Sequence, residues 1–130
     1  VSFPNCDEAS VERIANMIKE VPPRKLVLAH MGGWGMYNEV CDKLIGTPGV
    51  WLDTAFVLRS SPDFYFLSKE KFVDMVRTHG TDHILFGTDS PWSDQSEALK
   101  LIRESGLNND EIRMILGDNA ARLLDTFFLR

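Results

Sequence analysis

No apolar run in this chain approaches the roughly 20 residues that a membrane-spanning helix requires, and no signal-peptide pattern opens it. Basic residues are scarce. Lys and Arg number 14 against 19 Asp and Glu, leaving a net charge of -5, and the cations are scattered rather than clustered. That excludes the electrostatic footprint of nucleic-acid binding and gives no patch for a membrane surface. Cysteine is nearly absent: Cys6 and Cys41 form no C-x-x-C pair and are too few for a disulfide scaffold, so reduced thiols of a cytoplasmic protein are the expectation. The glycines complete no G-x-G-x-x-G, and no Walker lysine follows them.

What is present is an ordinary globular composition, 44% hydrophobic over 130 residues, enough for one domain at most. The pattern opens helical from Asn5, with Val11, Ile14, Ala15 and Ile18 on one face and Asn5 and Glu8 at capping-box spacing, and Pro22-Pro23 stops it. Three strands follow at about 25–29, 50–57 and 83–88, separated by helices carrying Met36, Val40 and Leu44, then Phe72, Val73 and Val76. The stretch from Leu58 to Leu67, with Pro62 inside it, reads as a long loop. Asp94 and Glu97 have capping-box spacing ahead of a fourth helix, and a last amphipathic stretch holds Ile112, Ile115, Leu116, Leu123 and Leu124. Strand starts 25 to 33 residues apart give an α/β chain of parallel βα units. The strands lack polar alternation and are expected to be covered on both faces. Three such strands would leave two raw sheet edges.

Chemistry on parallel sheets gathers at the carboxyl ends of strands. There the first strand runs into His30 and the third into Asp89, a metal-type pair expected on adjacent strand ends. Asp53 lies within the middle strand and alternates with Leu52 and Thr54, which would let it point inward toward His30; a buried, hydrogen-bonded structural carboxylate is the favoured expectation. His79 and His83 stand four apart, but Gly80 ends a helix between them, so they read as structural.

Three passages taken together resemble one known family: Leu28-Ala29-His30-Met31-Gly32-Gly33, Leu85-Phe86-Gly87-Thr88-Asp89-Ser90-Pro91-Trp92, and Ile115-Leu116-Gly117-Asp118-Asn119-Ala120-Ala121-Arg122-Leu123-Leu124. Their order and spacing are similar to the C-terminal part of the amidohydrolase superfamily, in its amidohydrolase-related branch of metal-dependent TIM-barrel hydrolases. The resemblance implies that residues 1–130 are the C-terminal portion of one (β/α)8 domain, its last three strands, and that the barrel is incomplete as given. It implies a divalent ion, zinc foremost, with Asp89 as a metal ligand that takes up the proton of the attacking water. His30 would bind a second metal or steer substrate and water. No His-x-His occurs in this chain, so most of the family's metal shell would lie outside it.

The activity implied is metal-dependent hydrolysis of an amide, lactone or related bond in a small molecule, with decarboxylation or hydration on the same shell as the alternative. Trp34 and Trp92 follow the two strand ends and would wall a substrate pocket or pack helix on barrel. Arg59 would meet a substrate carboxylate or stay solvated. Each site residue also has a plainer role: Asp89 as a turn and helix cap, His30 as a core imidazole bonded to backbone. A different reading makes Gly32-Gly33-Trp34-Gly35 a phosphate cradle. The isolated chain is expected to be inactive, and to self-associate or pair with the missing N-terminal part of the barrel.

Overall fold

In a computed structural model, residues 9–60 and 65–128 are described. Nine regular elements follow one another: α1 (Val11–Glu20), β1 (Leu26–Leu28), α2 (Tyr37–Lys43), β2 (Val50–Asp53), α3 (Lys69–His79), β3 (Ile84–Leu85), α4 (Gln95–Arg103), α5 (Asn109–Arg113) and α6 (Asn119–Phe128). The strands form one parallel sheet in the order β1-β2-β3.

All three strands are shorter than their apolar runs, because side chains take over the ladder at their ends. The Asp53 carboxylate accepts the Ala55 N–H at 3.0 Å, an Asx turn that stops β2. Thr54 Oγ1 accepts the Gly87 N–H at 3.1 Å and donates to the Gly87 carbonyl at 3.2 Å, replacing backbone pairing beyond β3. His83 falls in a single 3-10 turn, Thr81–His83, instead of beginning the strand.

Register decides which strand residues are core. Leu28, Leu52 and Ile84 line up across the sheet, as do Leu26 and Val50, and this face packs on Val11, Ile14, Val40, Phe72, Val76 and Ile102 from four helices. The alternate residues point the other way. Among them Val27 is 45% exposed and Trp51, although buried, packs on the His83 ring at 4.6 Å and not on the main cluster. Among the described residues the helices therefore cover one face, which corrects the expectation of a sheet buried on both.

Helix ends also differ in detail. Ser10 caps α1, so that helix begins at Val11; Asn5 and Glu8 lie outside the described residues. Asp94 caps α4 by accepting the Glu97 N–H at 2.8 Å, but the Glu97 carboxylate accepts the Ser60 hydroxyl, and the completed capping box is Asn108 with Glu111 on α5. The last amphipathic stretch is broken by a π turn, Met114–Asp118. Such a turn slips the i→i−4 ladder by a residue and rotates the faces beyond it. Leu123 is accordingly buried while Leu124 is 52% exposed.

The π turn also contacts the chain leaving β3: Ile115 C=O accepts the Phe86 N–H at 3.1 Å. Asn119, fully buried, donates from Nδ2 to the carbonyls of Thr81 and Ile84, both at 2.7 Å, and its Oδ1 accepts from Arg122 at 2.6 Å. One side chain thereby ties α6 to the start of β3 and to the turn that precedes it.

Candidate functional site

The C-terminal ends of the strands concentrate backbone strain. His30 and Met31 beyond β1, Phe56 beyond β2 and Asp89 beyond β3 all have positive φ, between 49° and 59°. An L-residue in that region costs roughly 1–2 kcal/mol, and such outliers gather at functional sites.

His30 is held at two points. Its backbone N–H donates to Asp53 Oδ1 at 2.9 Å, and its ring Nδ1 lies 2.8 Å from the Ala55 carbonyl. A carbonyl only accepts, so Nδ1 carries the proton and a neutral ring bears its lone pair on Nε2. This is the arrangement by which a backbone carbonyl orients a metal-binding or hydrogen-bonding imidazole.

Asp53 Oδ1 serves both the His30 and Ala55 amides and so links β1 to β2. A Cβ on Gly87 would stand 3.3 Å from Asp53 Cγ, so the same carboxylate also packs against the chain leaving β3. Gly87 lies two residues before Asp89. Asp89 begins a turn in which its carbonyl accepts the Trp92 N–H at 2.9 Å, and the Ser90–Pro91 bond is cis.

The sheet order corrects one expectation: β2 stands between the strands bearing His30 and Asp89, so these are not on adjacent strand ends. What the structure brings together is His30 with Asp53 and Ala55, and Gly87 with Asp53 and Thr54. Asp53 does reach His30, as its alternation with Leu52 and Thr54 allowed, but through the His30 amide, while its second bond, to the Ala55 amide, was not foreseen. Its signal was an Asp at the end of an apolar strand, a frequent acceptor for the amide two residues on.

Trp34 stacks on Tyr65 at 4.8 Å and on Phe56 at 6.3 Å, with Phe66 edge-on at 6.1 Å, an aromatic group joining the loops beyond β1 and β2. Trp92 is 79% exposed. The Arg59 guanidinium lies 5.3 Å from the Phe66 ring centre and borders an open groove of about 450 Å³ between the α3 N-terminus and α4. A second groove of about 440 Å³ lies between the start of α2 and Phe66–Lys71. Neither groove is lined by His30 or Asp89.

The glycine turn does not offer a phosphate cradle. Gly32 N–H donates to Ala29 C=O at 3.0 Å and Gly33 N–H to His30 C=O at 3.1 Å, so both amides serve the turn itself. The helix that follows, α2, has only 7 residues.

At the opposite end of the sheet His79 is satisfied on both nitrogens: Nδ1 accepts the Gly46 N–H at 3.1 Å and Nε2–H donates to Val50 C=O at 3.0 Å. Burial holds its pKa below the ordinary value, with the nearby His83 adding to the shift and the Val50 bond opposing it. His83 faces Asp82 at 3.0 Å. These histidines serve the fold, as the sequence implied.

A parallel sheet with helices on one face and polar, strained residues at its carboxyl ends is the geometry of a βα-barrel segment. The amidohydrolase family profile matches residues 5–126, and the chain belongs to that family. Among solved structures it is similar to a dihydroxybenzoic acid decarboxylase from Polaromonas sp. JS666 with bound manganese and the inhibitor 2-nitroresorcinol, at 18% identity and TM-score 0.67, covering 90% of this chain and 39% of that one. It is also similar to an amidohydrolase from Burkholderia multivorans with bound zinc, at 18% identity and TM-score 0.67, covering 86% and 48%. A third likeness is to the 5-carboxyvanillate decarboxylase of Sphingomonas paucimobilis, at 19% identity and TM-score 0.62, covering 89% and 39%. These likenesses show a shared fold, part of a TIM barrel, and the chain spans less than half the length of each structure. No curated protein matches this chain.

The donors present suit a divalent cation in kind but not in number. His30 and Asp89 are an imidazole and a carboxylate, yet among the described residues no group of three or more His, Cys, Asp or Glu gathers as a cation site would need. No helix among the described residues is long and apolar enough to cross a membrane.

Proposed function

We propose that this chain forms the last three βα units of a metal-dependent amidohydrolase-type enzyme that hydrolyses an amide, lactone or related bond in a small molecule. The observation that carries the reading is the His30 ring, anchored through Nδ1–H to Ala55 at the carboxyl end of a parallel sheet. A bound divalent ion, zinc in this reading, supplies Lewis acidity and lowers the pKa of a water from about 15.7 toward 7. His30 presents Nε2 to the reacting centre, as a ligand or as an orienting partner for substrate and water. The Asp89 carboxylate, set by the turn to Trp92, receives the proton that the nucleophilic water gives up. Trp34 and Trp92 border the substrate, and Arg59 meets its carboxylate.

Because no three-ligand group stands in the described residues, the remaining ligands come from strands beyond β1. The half-exposed Val27 face of the sheet closes on those strands, or on a second copy of the chain when they are missing. The isolated chain is inactive in this reading, and it works in the cytoplasm. Decarboxylation is the second reading, favoured by the decarboxylases among its structural neighbours.

The test is an assay of these residues joined to the upstream strands, against lactones and aromatic carboxylates, with and without chelator. Chelation is expected to abolish turnover, and H30Q and D89N each to lower kcat/KM by roughly 10²–10⁴-fold. Ring-opened acid as product supports hydrolysis and released CO2 supports the second reading; turnover indifferent to chelator overturns both. Light scattering of the 130-residue chain tests the pairing, which a stable folded monomer contradicts.

A further inference from the structure

We propose that Asp53 is the positioning residue for His30: it fixes, through two backbone hydrogen bonds, both the peptide that carries the imidazole and the carbonyl that orients it. This rests on the reading of His30 as a site residue. A single oxygen, Oδ1, accepts the N–H of His30 at 2.9 Å and the N–H of Ala55 at 3.0 Å. Ala55 is the residue whose carbonyl takes His30 Nδ1–H at 2.8 Å. The carboxylate, two peptides and the imidazole thus form a closed loop of contacts between β1 and β2.

Two features show that the loop is built and not incidental. His30 sits at φ 55°, a conformation its side chain disfavours and that an anchor on its own N–H can hold. Gly87 supplies the room, since a Cβ there would crowd Asp53 Cγ, the Ala55 Cβ and the Ala55 nitrogen, all at 3.3 Å. Hydrogen bonds to an ionised acceptor are about twice as strong as neutral ones, which suits a carboxylate that must hold two peptides at once.

A residue that merely ended β2 would affect stability and leave the imidazole as it is. A positioning residue changes the ring. Long-range ¹H–¹⁵N correlation of the isotope-labelled 130-residue chain, at a pH where the imidazole is neutral, reads the His30 tautomer directly, and amide hydrogen exchange reads the two backbone bonds.

In D53N the amide oxygen replaces the carboxylate oxygen, so the Nδ1–H tautomer is expected to persist while exchange at the His30 and Ala55 amides rises roughly tenfold. In D53L no acceptor remains, and the tautomer is expected to relax toward a mixture, with exchange up by roughly a hundredfold. A folded D53L that keeps the Nδ1–H tautomer overturns the proposal. If D53L does not fold, D53A removes the same acceptor with a smaller side chain and makes the same prediction for the ring. Unchanged exchange at both amides in D53N, relative to the global rate, also overturns it. Failure of the functional reading looks different: H30Q would retain turnover in the assembled enzyme while the tautomer results stand.

Discussion

The two ends of the sheet use the same kinds of residue to opposite effect. At the amino end, His79 is buried with both ring nitrogens bonded to backbone, and Asn119, fully buried, bonds through both side-chain heteroatoms. Both side chains bond to backbone of other elements. At the carboxyl end, His30 and Asp89 are half-buried on positive-φ backbone, and Trp92 stands in solvent. The first end is satisfied at low strain, whereas the second keeps strained residues whose hydrogen bonds orient them without enclosing them. The two sets of polar residues differ here in backbone strain and burial, not in residue type.

The sharpest way to break that contrast is at Asn119. N119A removes the donor to two carbonyls, the buried one of Ile84 and the part-buried one of Thr81, and leaves a hole where a fully buried side chain stood. Each orphaned buried group costs about 1–3 kcal/mol, so a total loss near 3–5 kcal/mol is expected. Urea denaturation reads it as a fall in the midpoint. N119D is expected to be as damaging, because a carboxylate cannot donate to either carbonyl. A loss under about 1 kcal/mol would mean that α6 is not tied to β3 through this side chain.

Asn119 also marks how far the sequence could be read. The βα order, the strand positions and the standing of His30 and Asp89 at strand ends were legible, because apolar runs that end in glycine, proline or a polar residue leave a local signature. The short strands were not. Their ends are set by Asp53 and Thr54 side chains capturing amides on the same or the next strand, contacts made between residues up to 33 apart in the chain. The π turn was invisible for a similar reason. Its register slip is stabilised by Phe86 reaching Ile115 and by Asn119 reaching Thr81, and periodicity alone extended one helical face straight through it. The uncovered sheet face escaped notice because Val27 and Trp51 are as apolar as their core-facing neighbours.

A second prediction separates the ends by pH. Burial depresses the His79 pKa from its ordinary 6.5 in the folded state. Below pH 6.5 the unfolded chain binds a proton that the folded chain resists, so stability is full above that pH, falls as pH drops from 6.5 toward the folded value, and levels off below it. The carboxylates Asp82 and Glu111, whose pKa values are lowered chiefly by hydrogen bonds to His83 and Arg77, contribute their losses only below their ordinary 3.8 and 4.5. Thermal melts between pH 7.5 and 5 should therefore show a decline that H79Q flattens, at the expense of a lower melting temperature at pH 7.5. A wild-type slope surviving in H79Q would assign the sensitivity to another group.

The smallest stability effect is expected at the carboxyl end, and it is the most telling. Asp89 has φ 59°, where glycine carries no Cβ penalty, so D89G relieves strain of roughly 1–2 kcal/mol while adding about 0.5–1 kcal/mol of unfolded-chain entropy. The two nearly cancel. D89G should melt at or slightly above the wild-type temperature while the assembled enzyme loses its turnover. That outcome would place Asp89 among residues kept for what they do, at some cost to the fold. A D89G chain destabilised as severely as N119A would instead make Asp89 a structural turn residue, and the contrast between the two ends of the sheet would fail.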